Sequence, residues 1–242
     1  QQPTDEELGR LIVRAVAEGS LVPILCCSGK TGVGVPELLD ALVMCGLSPL
    51  DKTRTSAGES PVEIVPDADG DLCGLIFKTR IDPFVQKLSF IRIFSGTLKK
   101  DSSVAVSTAR KPVKFGQLVN VQADQVENIA SAGPGEIVAV AKMEELHTGS
   151  VLGETALPDI KFPSPMVGLA VTPKSRGDET KLSGALNKVV EEDPTFRLDR
   201  DSQTKELVMT GMSELHLMVI QERLIRRDKL EVETKEPKIP YE

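Results

Sequence analysis

Short runs of β-branched and aromatic residues alternate with turn residues through the middle of the chain, from residue 72 to residue 156. Five runs share this composition: LCGLIFKTR, KLSFIRIF, SSVAVS, VKFGQLV and EIVAVAK. Turns such as Asp82-Pro83, Ser95-Gly96 and Gly133-Pro134-Gly135 separate them at intervals of roughly 8–12 residues, a spacing typical of all-β sandwiches and barrels. We therefore predict an all-β barrel over residues 72–156, because strands this short bury their apolar faces only by packing on one another.

The first 47 residues follow a different pattern, in which helix, strand and helix alternate. Leu8, Leu11 and Ile12 fall on one face of a helix, and LVPILCC at residues 21–27 is a continuous apolar run of strand length. Such runs are typical of strands buried in parallel sheets, which need parallel neighbours. No candidate neighbour precedes this one, so we interpret residues 1–47 as the C-terminal end of an α/β domain and the chain as an internal piece of a longer protein.

A third pattern begins after the proline-rich segment 157–165, which we predict to be a linker. Residues 166–235 contain strand and helix signals in the order β-α-β-β-α-β, which is the ferredoxin-like arrangement. We expect the first helix to stop near Asp193, because a residue before a proline avoids the helical region, and Ser213 to cap the second helix. The apolar residues expected to face the core from the two helices are Leu182, Leu186, Val189, Val190, Leu217, Ile220 and Leu224.

Two further segments complete the predicted organisation. Residues 48–71 are rich in Pro, Ser, Asp and Gly and have the composition of a linker. Residues 236–242 have no partner element and indicate the start of a further domain. The predicted fold class is therefore multidomain α+β, with the C-terminal remnant of an α/β domain, an all-β barrel and a ferredoxin-like βαββαβ domain.

Composition excludes several classes of protein. A net charge of −7 over 242 residues argues against a chain that coats nucleic acid uniformly, and 3% aromatic residues leave little material for base stacking. No apolar stretch reaches the ~18 residues that a membrane helix needs, and the four cysteines have no C-x-x-C spacing. We expect a cytoplasmic protein with reduced thiols, no metal site and no membrane partner, in which Cys26 and Cys27 end a buried strand.

Gly29-Lys30-Thr31 follows an apolar run and so suggests a phosphate-binding loop. The motif G-x-x-x-x-G-K-[ST] needs a glycine where Ile24 stands, so we exclude a phosphate loop at this point. We expect His147 to lie in an exposed turn beside Thr148-Gly149. Neither His147 nor His216 has a second ligand at helical spacing, which argues against a metal centre. We assign no catalytic residue and expect this chain alone to hydrolyse no nucleotide.

Charge is unevenly distributed along the barrel sequence. Residues 86–116 contain seven cations and one acid, whereas residues 117–160 contain one cation and seven acids. If folding keeps the two stretches apart, the basic one could contact a phosphate backbone; the alternative, that the charges intermix on folding, stays open. The candidate RNA contacts are Lys87, Arg92, Lys99, Lys100, Arg110, Lys111 and Lys114.

Three long blocks carry a family resemblance. They are VPILCCSGKTGVGVPELLDAL, FKTRIDPFVQKLSFIRIFSGTLKKDSSV and EEDPTFRLDRDSQTKELVMTGMSELHLMVIQERL, and through them the chain resembles bacterial elongation factor G, the ribosomal translocase GTPase, over essentially its whole length. The resemblance implies the end of a GTPase domain, a translation-factor barrel, a ferredoxin-like third domain and the start of a fourth domain. It also implies a parent that hydrolyses GTP to move tRNA and mRNA.

The resemblance also implies a bound nucleotide, ribosomal partners and a loop that contacts the guanine base. Ser28, Gly29 and Lys30 occupy the place of the loop that contacts the guanine base, with Gly29 in place of the usual alanine. GTP or GDP and Mg²⁺ are expected on the intact parent and not on this chain, since the family's phosphate loop, magnesium ligands and guanine-specific motif lie upstream of Gln1. The implied partners are the ribosome and, indirectly, tRNA and mRNA, and we expect a monomer.

Departures from the family pattern leave the exact task open. Ser213 stands where the family usually has glycine, and Arg110-Lys111-Pro112 and Gly133-Pro134-Gly135 also differ from the commonest pattern. These departures suggest a divergent or second paralogue, so ribosome recycling and ribosome protection stay open as alternatives to translocation, which the third-domain block favours. A stand-alone, non-catalytic ribosome-binding module is a further alternative.

Overall fold

The structure is a computed structural model that describes residues 4–82, 86–123 and 125–239. The chain divides into two compact units, residues 1–54 and residues 55–242. No helix in the described part of the chain is long and apolar enough to cross a membrane.

The first unit contains two helices and an extended segment between them. Helix α1 (Asp5–Ala17) begins at a capping box in which Thr4 and Glu7 satisfy each other's backbone N–H groups, and α2 (Val35–Cys45) ends at Gly46. The predicted strand at residues 21–27 is wrong for this structure, since it pairs with no strand of the described unit and Ile24 is 91% exposed. A parallel strand is stabilised only by its neighbours in the sheet, and the described part of the unit supplies none; Cys26 and Cys27 are accordingly exposed rather than buried.

The all-β region of the second unit forms one large antiparallel sheet and two short ribbons. The strands are β1 (Cys73–Asp82), β2 (Gln86–Ser95), β3 (Leu98–Lys99), β4 (Ser103–Val104), β5 (Val113–Lys114), β6 (Leu118–Gln122), β7 (Gln125–Ile129), β8 (Ser131–Ala132), β9 (Ile137–Ala141) and β10 (Val151–Leu152). The large sheet has the order β10-β1-β2-β9-β6-β7, and the ribbons pair β3 with β8 and β4 with β5. The predicted turn at Asp82-Pro83 falls partly on residue 83, outside the described residues.

A large apolar core holds most of this region together. Its fully buried members come from both long strands and from the short ribbons, because alternate residues of each strand point inward. They include Ile76, Ile91, Ile93, Leu98, Phe115, Leu118, Leu146 and Leu152. A smaller cluster of Leu88, Val119 and Ala139 is buried on the opposite face of the same strands, so the region has one main interior and a second apolar patch.

The C-terminal part of the second unit pairs two helices with a four-stranded antiparallel sheet. Its elements follow in the order β11 (Val167–Pro173), α3 (Glu179–Glu192), β12 (Arg197–Arg200), β13 (Leu207–Gly211), α4 (Glu214–Arg223) and β14 (Val232–Lys235). The sheet has the order β12-β13-β11-β14. A short 3₁₀ turn (Arg176–Asp178) precedes α3, and a π-helical turn (Leu224–Asp228) continues α4.

The helices bury the faces that the sequence predicts, with one exception. Leu182, Leu186 and Val189 of α3 share a core with the apolar face of α4, whereas Val190 lies at the edge of this face and is exposed. Helix α3 stops at Glu192, two residues before Pro194. The Ser213 hydroxyl accepts the His216 N–H at 3.1 Å, as expected of a capping serine.

Three predicted segments lie outside the regular elements. Residues 157–165 contain no helix or strand, and in residues 48–71 the Thr55–Glu63 bridge is the single pairing among the described residues. Residues 236–239 have no regular structure, and residues 240–242 of the predicted fourth-domain start lie outside the described residues.

Candidate functional site

Four cations from the barrel sequence line one groove. Arg110, Lys111, Lys114 and Lys142 border a cavity of about 650 Å³, with Glu145 as the one acid among the described lining residues. All four cations are exposed, and none of them forms an ion pair within the described residues. We call this surface the basic groove, and its uncompensated charge makes it the strongest candidate for an anionic partner.

The basic groove is built by a loop anchored in the barrel core. Strand β4 pairs with β5, which places Ser103 opposite Lys114, and the buried side chain of Val106 fixes the loop between them. The Thr108 hydroxyl donates to the Glu145 carbonyl oxygen at 3.1 Å, so the loop is tied to the turn that follows β9. The loop therefore presents its cations from a fixed backbone rather than from a free end.

The turn after β9 supplies the fourth cation. Lys142 has φ +60°, a left-handed conformation that is uncommon for a residue with a side chain. Its N–H donates to the Lys87 carbonyl oxygen at 2.8 Å, which holds the turn on β2. Lys142 and Glu145 both come from the acidic half of the barrel sequence, so the two charge stretches do meet at this edge.

The other candidate RNA contacts fall into different places. Lys99 ends β3 and Lys100 begins the turn that follows; both are exposed, and the neighbouring Asp101 N–H donates to the Phe115 carbonyl oxygen next to Lys114. Arg92 is half-buried on β2, between β1 and β9, and does not line the basic groove.

The prediction that Lys87 contacts RNA is wrong, because this residue is buried. Its side chain is 3% exposed, and its ammonium group lies 2.7 Å from a Glu191 carboxylate oxygen and donates to the Glu144 carbonyl oxygen at 3.2 Å. A lysine that is covered and paired in this way cannot reach a phosphate backbone, so Lys87 leaves the set of surface contacts. The charge tally missed this because it ignores which side of a strand a residue occupies.

Glu191, at the C-terminal end of α3, joins the barrel to the α/β part of the second unit. Its carboxylate contacts Lys87 and, at 3.2 Å, His147 Nδ1. Burial acts to raise the pKa of Glu191, but the hydrogen bond and charge of Lys87, with a smaller contribution from His147, hold that pKa below its usual value. The predicted exposed position of His147 is confirmed, whereas its partner could not be found from sequence.

Glu192 makes a second connection between the same parts. One of its carboxylate oxygens accepts the Ile81 N–H of β1 at 2.7 Å, and the other accepts from Arg223 at 3.3 Å and Arg227 at 3.1 Å. Its side chain is 11% exposed, and it is surrounded by donors. The conspicuous block Glu192-Asp193-Pro194-Thr195-Phe196 is the sequence signal that could have marked this contact.

His216 has a structural role in the same neighbourhood. Its Nδ1 accepts the Met212 N–H at 3.1 Å, so Nε2 carries the proton and donates to Asp193 at 3.0 Å. Burial acts to raise the pKa of Asp193, and hydrogen bonds from Thr195 together with His216 lower it. The described residues contain no group of three His, Cys, Asp or Glu side chains that could hold a metal ion.

The Ser28–Lys30 loop lies in the first unit. The Ser28 N–H donates to the Val33 carbonyl oxygen and the Ser28 carbonyl oxygen accepts from Gly32, which closes a tight turn. Gly34 completes it with φ +76°, where a Cβ atom would overlap the Cys26 carbonyl oxygen. The N–H groups of Gly29 and Lys30 donate to no other described residue, so they are the donors that a base could use.

Family models match the two parts of the second unit. Residues 71–155 match the model described as elongation factor G domain 2, and residues 162–236 match elongation factor G, domain III. Together the two matches cover most of the chain and include the basic groove, Glu191 and Glu192.

Individual relatives agree with these matches. The chain is 36% identical over 247 residues to elongation factor G of Chlamydia trachomatis serovar D and 36% identical over 245 residues to that of Petrotoga mobilis, with 98% of this chain aligned in each case. A crystal structure of a Thermus thermophilus protein superposes with a TM-score of 0.77 at 31% identity over 99% of this chain. The chain spans 35% of the length of each of these proteins.

Proposed function

The chain belongs to the elongation factor G family, and on that premise we propose that it acts on the ribosome as the central part of a translational GTPase that moves tRNA and mRNA. Its bulk charge is −7, so a general attraction to RNA does not explain ribosome binding. The observation that carries the proposal is the basic groove, where four cations without ion pairs in the described part of the chain collect on one edge of the barrel. We propose that this groove contacts ribosomal RNA, with Lys99 and Lys100 on the adjoining turn.

The fold supports a relay role for the C-terminal part. The sheet order β12-β13-β11-β14 with both helices sharing one core supports a ferredoxin-like domain at residues 166–235. Residues 1–47 act in this proposal as the end of the GTPase domain, and movement of that domain reaches the ferredoxin-like domain as rigid-body rotation. Pro-rich connections at 157–165 and 236–240 suit such movement.

GTP or GDP and Mg²⁺ belong to the intact parent in this proposal. The N–H groups of Gly29 and Lys30, which donate to no other described residue, fit a contact to the guanine base, and the nucleotide would supply the phosphoryl group that is hydrolysed. Gly29 itself leaves open space where a Cβ would stand. Because the chain offers no phosphate loop, we expect a fluorescent GTP analogue to show no saturable binding to this chain at micromolar concentrations.

Binding of the labelled chain to purified small ribosomal subunits tests the role of the basic groove. The double variant Lys111→Glu/Lys114→Glu removes two phosphate contacts and adds repulsion, so its affinity should fall at least about tenfold and show a shallower salt dependence. The matched control is Lys161→Glu/Arg197→Glu, which reverses two exposed cations that lie outside the groove. Equal losses in both variants, or no loss in either, would contradict the groove as the contact.

The exact task is tested with the intact parent. Translocation of tRNA on programmed ribosomes and splitting of ribosomes into subunits are measured side by side, together with ribosome-stimulated GTP hydrolysis. We expect translocation, and reversal of Lys99, Lys100, Lys111 and Lys114 should lower the stimulated hydrolysis rate. Subunit splitting without translocation would instead assign the chain to a recycling paralogue, as Ser213 and the Arg110-Lys111-Pro112 departure suggest.

A further inference from the structure

A second cationic surface lies away from the basic groove, in a cleft between strand β1 and the C-terminal end of α4. The cleft has a volume of about 580 Å³ and is lined by five cations and two carboxylates. The cations are Lys78, Arg80, Arg223, Arg226 and Arg227, and the carboxylates are Glu192 and Asp193. We call it the arginine cleft.

Both carboxylates of the arginine cleft are occupied by partners that fix them in place. Asp193 accepts from the Thr195 N–H and hydroxyl at 2.8 and 2.6 Å and from His216 at 3.0 Å. Glu192 accepts from the Ile81 backbone and from Arg223 and Arg227. Because these oxygens already accept hydrogen bonds, the two carboxylates have little capacity left to neutralise the other cations of the cleft.

Two of the five cations form ion pairs with Glu192, and the other three form none within the described residues. Arg223 and Arg227 are held by Glu192, which orients two guanidinium groups from one helix end. Lys78, Arg80 and Arg226 form no ion pair within the described residues, although all three are exposed at the cleft. Three uncompensated cations beside two oriented guanidinium groups leave a local excess of positive charge in a chain whose net charge is −7.

One buried donor in the cleft wall lacks an acceptor. The Nη2 atom of Arg227 is buried and has no hydrogen-bond partner in the described part of the chain, while its Nε and Nη1 atoms bind Asp228 and Glu192. A buried guanidinium donor without an acceptor is unfavourable unless something else supplies one. An anion in the cleft could do so with modest adjustment of the Arg227 side chain.

The lining favours phosphate over an acidic protein segment. Ile81 is the one large apolar side chain among the described lining residues, whereas the centre of a protein–protein interface is rich in apolar and aromatic side chains. Arginine forks match the paired oxygens of a phosphate group, and phosphodiester backbones present such groups at regular intervals. We propose that the arginine cleft is a phosphate-binding site, whose ligand is the backbone of a single RNA strand or a small polyphosphate.

The proposal is tested on the isolated chain, so it does not depend on ribosome binding. To remove the contribution of the basic groove, all variants carry Lys111→Glu/Lys114→Glu. A fluorescein-labelled 20-nucleotide uridine RNA is titrated at low salt, and inorganic pyrophosphate and a ten-residue glutamate peptide are used as competitors. Adding Arg80→Glu/Arg226→Glu should weaken RNA binding at least about tenfold, whereas adding the control pair Lys161→Glu/Arg197→Glu should change it less than about twofold.

A second measurement locates the ligand. Amide chemical shifts are followed by NMR while pyrophosphate is added to the unmodified chain, and the proposal expects the largest changes at residues 78–81 and 223–228. Displacement by pyrophosphate with weak RNA binding identifies a small polyphosphate as the ligand, and tight RNA binding identifies the backbone. Equal weakening by the control pair, shifts spread evenly over the exposed cations, or preferential displacement by the glutamate peptide would overturn the proposal.

Discussion

Residues 4–54 and residues 55–239 are both rich in apolar side chains, but they differ in what covers those side chains. In the second unit, strands from distant parts of the sequence bring Ile76, Ile91 and Phe115 to full burial. In the first unit, Val22 is 82% exposed and Ile24 is 91% exposed, although both lie in the most continuously apolar run of the segment. The two units contain the same kind of residue in opposite environments.

The difference shows that apolar composition alone does not make a strand. An antiparallel barrel obtains some of its strand partners from hairpins close in sequence, here β1 with β2 and β6 with β7, whereas a parallel strand depends entirely on partners that come after a long crossover. Helices α1 and α2 form in the first unit because their backbone hydrogen bonds are local. Residues 21–27 form neither local helical hydrogen bonds nor a strand ladder, and they remain unpaired with any strand of the described unit.

The largest effect expected from this comparison comes from one matched pair of isoleucines. Ile91→Ala removes a fully buried side chain from the barrel core and should lower the free energy of unfolding by about 2–5 kcal/mol. Ile24→Ala removes an exposed side chain and should change it by less than about 0.5 kcal/mol. Urea unfolding followed by far-UV circular dichroism measures both, since the chain has no tryptophan. Similar losses in the two variants would contradict the contrast between the units.

Sequence reasoning predicted the local features of the C-terminal part well. The end of α3 near Asp193, the cap at Ser213 and the order of strands and helices along the chain follow from periodicity, proline and hydrogen-bonding capacity, which act over a few residues. The uncovered run at residues 21–27, the burial of Lys87 and the contacts of Glu191 and Glu192 depend on elements far apart in the chain. No pattern along one strand or helix reports which distant side chain will lie opposite it.

A second pair of variants compares a covered ion pair with an exposed one. Glu191→Gln leaves the buried ammonium group of Lys87 without its closest carboxylate and should cost about 1–3 kcal/mol. Glu231→Gln breaks the Lys174–Glu231 pair, both of whose members are exposed and screened by solvent, so it should cost much less than Glu191→Gln. Urea unfolding at pH 7 measures the loss in free energy of unfolding for each variant. Equal losses would show that the buried Lys87–Glu191 pair between the barrel and the α/β part stabilises the fold no more than an exposed pair does.

The lowered pKa of Glu191 predicts that the stability difference between the unmodified chain and Glu191→Gln depends on pH. The pKa of Glu191 is lower in the folded protein than its ordinary value of 4.5, so its stabilising contribution is complete above that value. The contribution is lost as the pH falls through the lowered folded pKa. Unfolding free energies measured from pH 7 to pH 3 should therefore fall less steeply for Glu191→Gln than for the unmodified chain. Parallel curves would contradict the ionised state of Glu191.

The smallest expected effect concerns helix caps, where the two units are alike. Ser213→Ala removes the acceptor for the His216 N–H and should cost about 1 kcal/mol, whereas Ser213→Gly should cost a few tenths. Thr4→Ala should cause a similar local loss at α1, visible as lower helical ellipticity. A negligible effect of Ser213→Ala in urea unfolding would show that this serine does not stabilise the fold of α4.

Amide hydrogen exchange measures the difference between the units most directly. Exchange is followed by mass spectrometry on the unmodified chain at pH 7 and 25 °C. The amides of residues 137–141 and 167–173, which lie in paired strands around closed cores, should be protected by a factor on the order of 10³ or more. The amides of residues 21–27 should exchange at nearly the unprotected rate, and protection of that segment equal to the strands would contradict the account.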